Sequence, residues 1–172
     1  MQNKILIAGL GNLPYPTTYH SIGQLFLIEY ARKHNLLWQK KGAISSAQID
    51  DRVHICYSHH LMNVSGKSIS SYYSQIRAEK LLVLHDDLQR DWMKISFKAA
   101  GSANGHNGLK SIAKHMGTDF DRLRIGIGRP EDKSKVPDYV LSKMNTSQLD
   151  ELRNGSLYDK ISQQLDEYIR IN

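Results

Sequence analysis

One histidine, one aspartate and three asparagines stand where this chain could do chemistry, each beside a break in an apolar pattern. His20 closes a loop rich in Gly, Pro and Thr (residues 9–19), and Asp86 follows the apolar run 81–84. A histidine changes charge near neutral pH and can take a proton from water. A carboxylate that accepts its other ring N–H fixes the tautomer and stabilises the imidazolium. No serine or cysteine stands out beside the pair, so water is the better nucleophile. The carboxamides of Asn12, Asn63 and Asn107 both donate and accept hydrogen bonds. They suit binding a peptide backbone, holding a water or stabilising an oxyanion. Taken singly these are weak signals. A histidine at a helix start is more often a cap or a surface group, and Asp or Asn beside glycine more often forms a turn.

Other chemistries fit less well. Gly9-Leu10-Gly11 opens like a dinucleotide-binding loop, but Pro14 holds the third glycine position. Ser111 and Lys114 match a pattern of acylating enzymes, yet they lie within a helix and lack its partner motifs. The 8 histidines are scattered, and neighbours such as His59 and His60 point apart in a strand. The single cysteine, Cys56, excludes an internal disulfide and a cysteine-based zinc framework. It reads as a small buried side chain in a reducing compartment. Neither a metal nor another cofactor is expected.

The elements that must position these groups alternate between strand and helix. Residues 4–8 form an apolar run, read as a buried strand, and Ser21 can cap a helix with Ile22, Leu25 and Ile28 on one face. Residues 43–57 predict a hairpin turning at Asp50-Asp51. A helix is expected over 65–77, then strands over 81–84 and 94–98. A glycine-rich loop (99–108), a short helix (109–116) and a strand (122–128) follow. Residues 130–137 read as an exposed loop, and Thr146 or Ser147 caps one long terminal helix. The expectation is a single α/β domain over residues 1–172: a mixed, largely parallel twisted sheet with helices on both faces. Sites in such sheets form beyond the carboxyl ends of the strands, where Asn12, Asp86 and Asn107 are expected.

A length of 172 residues with 40% hydrophobic content suits one globular domain. No apolar stretch approaches the roughly 20 residues that span a bilayer, and the N-terminal run lacks a signal-peptide shape. The formal net charge of +6 favours polyanionic partners such as nucleic acid. A monomer is expected, in the cytoplasm or alternatively the mitochondrial matrix.

Read together, the segments resemble the bacterial-type peptidyl-tRNA hydrolases. The matching runs occur in the family's order. They are Gly9-Leu10-Gly11-Asn12, His20 with Gly23, Met62-Asn63-Val64-Ser65-Gly66-Lys67, His85-Asp86-Asp87-Leu88, Gly105-His106-Asn107-Gly108-Leu109, and Arg122-Leu123-Arg124-Ile125-Gly126-Ile127-Gly128. The combination is specific where no single run is. The resemblance implies a metal-free esterase that cuts the ester between a peptide and the 3′ ribose of tRNA. By position, His20 matches the catalytic base and Asp86 the carboxylate that orients it. Asn12, Asn63 and Asn107 match asparagines that hold substrate and water, with Asn12 or Asn63 facing the oxyanion. Met62 matches an apolar contact in the peptide crevice, and Tyr15 is a further substrate contact. Lys98 and Arg124 match the basic pair that receives the tRNA 5′-phosphate, and by charge alone Arg122 and Lys110 join them. The chain departs from the pattern in a shorter loop before His20, in Tyr19 and Ser21 flanking it, and in His59-His60-Leu61 before Met62. Two rivals are a hydrolase of another acyl-nucleotide and a non-catalytic RNA- or ribosome-binding relative.

Overall fold

The computed structural model describes residues 2–172. Its spine is β1 (Ile5–Gly9), buried along its whole length. An uninterrupted apolar run is what a strand covered on both faces requires. Helix α1 (Ile22–Lys33) follows, then β2 (Gln39–Lys41), β3 (Ile44–Gln48) and β4 (Val53–Ser58). Helix α2 (Gly66–Gln75) leads to β5 (Lys80–Asp87) and β6 (Ile95–Ala99). Helix α3 (Asn107–Met116), β7 (Asp121–Gly126), α4 (Val136–Val140), α5 (Thr146–Asn154) and α6 (Ser156–Ile171) complete the chain.

The seven strands form one sheet in the order β2-β3-β4-β1-β5-β7-β6. The central strands β4, β1, β5 and β7 run parallel. Both flanks are antiparallel, β2 and β3 beside β4 on one side and β6 beside β7 on the other. Helices cover both faces, as expected. On one face α1, α5 and α6 bury Phe26, Leu27, Leu152, Leu157 and Ile161 against Ile55, Leu82 and Leu123. On the other, α2 and α3 bury Ile69 and Ile112 against Leu6, Cys56 and Val83.

Several local expectations need correction. The short edge strand β2 is polar and exposed, so it carries no apolar signature in the sequence. Asp86 does not follow the strand but lies within it, because β5 runs on to Asp87. The terminal helix is two helices that meet at Gly155. Its cap is Asn145, in a reciprocal capping box with Gln148, rather than Thr146 or Ser147. Residues 130–137 are not all loop: a 3-10 turn (Lys133–Lys135) leads into α4. On α1, Phe26, Leu27 and Tyr30 are buried while Ile28 is half-exposed, because α5 and α6 cover the helix beyond a single stripe.

Candidate active site

The carboxyl edge of the parallel strands gathers the polar residues. β1 ends at Gly9, and its chain runs through Asn12 to the 3-10 turn Tyr19–Ser21 that carries His20. Ser21 precedes α1, but its hydroxyl makes no capping bond. It accepts from the Asn12 N–H (2.8 Å) and donates to the Tyr15 carbonyl (2.9 Å), drawing the shortened loop back on itself. Gly23 then brings the first turn of α1 down onto β5, where a Cβ would run into the Leu84 carbonyl. That contact sets His20 above the end of β5, over Asp86.

Asp86 is buried and holds two histidines. Its Oδ2 accepts from His20 Nδ1 (2.8 Å) and its Oδ1 from His106 Nε2 (2.7 Å). His106 is the N-cap of α3, and its Nδ1 accepts from the N–H groups of Gly108 (3.1 Å) and Leu109 (3.3 Å). A nitrogen that accepts carries no proton, so His106 Nε2 is the protonated nitrogen and donates to Asp86. His20 donates through Nδ1, which leaves its Nε2 lone pair available to take a proton. Burial would raise the Asp86 pKa, but the two imidazoles and their hydrogen bonds outweigh it and hold the carboxyl well below the usual carboxylate range. Burial pulls the His20 pKa down, and the charge and hydrogen bond of Asp86 more than offset this, raising it above 6.5. His85 packs edge-on to His106 with ring centroids 5.0 Å apart, and burial and its neighbours push its pKa down to about 3. It is therefore neutral, and its Nδ1–H donates to the Asp86 carbonyl (2.8 Å).

His20, Asp86 and His106 place possible ligand atoms within 4.8 Å of one another. The donor set does not suit a metal. His106 Nε2 needs its proton for Asp86 as long as Nδ1 caps α3, so metal binding there would uncap the helix.

A cleft of about 400 Å³ runs from these groups across the face of β7 and β6. His20, Asp86, Asn107, Lys98 and Arg124 all line it. Lys98 pairs in register with Arg122, and Ser96 with Arg124, so these side chains share one face of the sheet. Arg124 donates to Ser96 Oγ (2.6 Å). Arg122, expected from its charge to meet RNA, is instead 1% exposed. Its guanidinium donates to the carbonyls of Gly101 (2.6 Å), Ser102 (3.0 Å) and Thr118 (3.4 Å) and lies over the Phe120 ring. Its work is to hold the loop between β6 and α3. Lys110 stands exposed on α3.

The other expected residues lie outside this cleft. Asn12 is buried, and its Oδ1 accepts from the Met62 N–H (2.6 Å). That bond fixes the amide, leaving only its N–H groups to offer. Met62 is 3% exposed and packs beneath Gly108 rather than on the cleft wall. Tyr15 is 56% exposed and is held through its backbone, its N–H donating to the Asn12 carbonyl (2.8 Å) and its carbonyl accepting from Thr18 and Ser21. Asn63 is exposed and lines a separate depression between α2 and α3. Sequence reasoning missed His106 as a partner of Asp86. The available signal was a histidine directly before a helix start and two residues before a glycine, a position from which a ring nitrogen can cap.

The family model described as peptidyl-tRNA hydrolase matches residues 6–171. The chain belongs to the peptidyl-tRNA hydrolase family. Among relatives in this family, the chain is 42% identical to a Rickettsia typhi protein named peptidyl-tRNA hydrolase, over 84% of this chain and 83% of that one. It is 40% identical to the Staphylococcus haemolyticus protein of the same name, over 83% and 80%. The crystal structure of peptidyl-tRNA hydrolase from Acinetobacter baumannii superposes with a TM-score of 0.83 at 29% identity, covering 99% of this chain and 95% of that one. A plant 5′-methylthioadenosine nucleosidase from Arabidopsis thaliana, at 5% identity and a TM-score of 0.59, shares the fold alone.

Proposed function

We propose that this protein hydrolyses peptidyl-tRNA, cutting the ester between the peptide and the 3′ ribose, with His20 as general base. The observation that carries the reading is the 2.8 Å bond from His20 Nδ1 to buried Asp86, which leaves Nε2 unencumbered beside a cation-lined cleft. In the reaction, His20 Nε2 takes a proton from a water while the water oxygen bonds to the ester carbon. The carbonyl oxygen gains negative charge, and the Asn12 amide N–H, with its Oδ1 committed to Met62, is suited to donate to it. The bond to the ribose oxygen then breaks, and His20 returns its proton to that oxygen. The products are a free peptide carboxyl and a tRNA with a free 3′ hydroxyl. Lys98 and Arg124 supply paired positive charge for the 5′-phosphate, with Asn107 at the cleft mouth for the acceptor end. A monomer acting in the cytoplasm, or else the mitochondrial matrix, belongs to the same proposal; buried, unpaired Cys56 supports a reducing setting.

The test is hydrolysis of an N-blocked aminoacyl-tRNA without added metal, wild type beside His20→Ala. Release of free tRNA by the wild type, and a loss of about 10²- to 10⁴-fold in the variant, is the expected result. If both proteins bind tRNA and neither cleaves it, the chain is a non-catalytic RNA-binding relative.

A further inference from the structure

Across the carboxyl edge of the sheet, the chemistry is laid out in strand order. Arg124 and Lys98 sit on β7 and β6, Asp86 with His20 above it on β5, Asn12 after β1, and Asn63 after β4. The general base therefore separates a cationic end from an amide end. If the 5′-phosphate side of tRNA occupies the first, the peptide leaves His20 toward the second. This step rests on the reading given under Proposed function.

Beyond the amide end the surface is again basic. Asn63 lines a depression of about 380 Å³ together with His60, Lys67, Ser111, Lys114 and His115. No carboxylate lines it, and neither lysine takes part in an ion pair among the described residues. The walls are fixed. Gly66, at the start of α2, sits so close to the Ser111 backbone of α3 that a Cβ would overlap it, and Ser111 Oγ accepts from the Gly66 N–H (2.8 Å). Lys67 on α2 and Lys114 on α3, one turn after Ser111, thus face a gap whose width is set by backbone contact.

We propose that this depression is a subsite for an acidic side chain of the peptide, making the enzyme selective for peptidyl-tRNAs that carry Asp or Glu a few residues from the ester. Two strand spacings, about 10 Å, separate β4 from β5. An extended peptide covers roughly 3.3–3.6 Å per residue, so the third residue back from the ester is the one that reaches Asn63. A carboxylate there meets two lysines with no competing anion, whereas a lysine meets like charge.

The experiment uses N-acetylated tetrapeptidyl-tRNAs on one tRNA, with Glu, Gln or Lys at the third residue from the ester, and an N-acetyl-aminoacyl-tRNA too short to reach the depression. Wild type and the Lys67→Gln, Lys114→Gln double variant are compared in kcat/KM and in binding of deacylated tRNA. The expected result is a preference for Glu over Lys of about three- to five-fold per ion pair, the size of an exposed pair. In the variant that ratio falls toward one, while the short substrate and deacylated tRNA are unaffected. Equal kcat/KM for Glu and Lys in the wild type overturns the proposal. A variant that weakens deacylated tRNA as much as the Glu substrate also overturns it, because the lysines would then be reading tRNA phosphates. If the wild type cleaves none of the substrates, the short one included, the hydrolase reading falls and takes this inference with it.

Discussion

Asp86 carries two histidines on its two oxygens, and each histidine is thereby given one task. His106 spends both ring nitrogens on structure, one on α3 and one on the carboxylate, while His20 spends only Nδ1. The difference fixes which imidazole can act on water. It also yields a pH prediction. The base must be neutral to work, so kcat/KM rises with pH through the His20 pKa, which Asp86 raises above 6.5. Asp86→Asn removes the charge that raises it, so the inflection should move to lower pH. The plateau should also fall by about 10²- to 10⁴-fold, because the amide can hold the wrong tautomer. A pH–rate profile of the two proteins checks both statements; an unmoved inflection would show that Asp86 does not set the basicity of His20. The His20 and Asp86 pairing was legible once the motifs were read together as those of the family, each residue alone being a weak signal. The second histidine was not, because its bond to Asp86 spans 20 residues and depends on where α3 begins. Nor could alternation in β7 tell that Arg122 is buried and Arg124 half-exposed, since both occupy the same face of the strand.

At the level of elements, the site depends on how closely α1 approaches β5. Gly23 permits this approach, and the Gln24 N–H to Leu10 carbonyl bond (3.0 Å) fixes its height. Gly23→Ala would push the helix off the Leu84 carbonyl and lift His20 from Asp86. Overpacking of this kind costs about 1–3 kcal/mol, and a displacement of about 1 Å at a reacting group can cost 10²-fold in rate. The expected outcome is a lower Tm with a fall in kcat larger than the stability loss explains; thermal unfolding and kinetics on the same preparation test it. A full-rate Gly23→Ala enzyme would mean that the contact is incidental. The strands and the order of elements were readable in the sequence because apolar runs and turns mark them. The break at Gly155 was not, because the apolar spacing of α5 and α6 continues across it, and β2 has no apolar pattern to read.

For the whole molecule, the formal net charge of +6 acts on a polyanion mostly through released counterions. If Lys98 and Arg124 together neutralise the two charges of the terminal 5′-phosphate, affinity for tRNA should fall roughly ten-fold between 50 and 200 mM salt. Lys98→Ala should reduce the slope of log affinity against log salt by about one, leaving kcat on a saturating substrate near the wild-type value. Filter binding or fluorescence titration across a salt series measures it. A slope unchanged by the substitution would remove Lys98 from the phosphate site. Charge was legible from composition, but its division was not. Only the fold separates cations that brace a loop, as Arg122 does, from those that face a cleft or the α2–α3 depression.

The placement of β1 between β4 and β5 also dictates how the molecule must come into being. The first strand of this domain is an interior one, and each of its edges is satisfied by a strand far along the chain: Ile5 pairs with Val53 on one side and Lys80 on the other. Parallel partners of such separation impose a loop-closure cost before any contact rewards it, so folding is expected to be governed by topology rather than by local helices. Asp86 cannot meet His20 until β5 has docked against β1. The pairing of His20 with Asp86 is thus tied to completion of the central sheet, and the site cannot be assembled ahead of the fold.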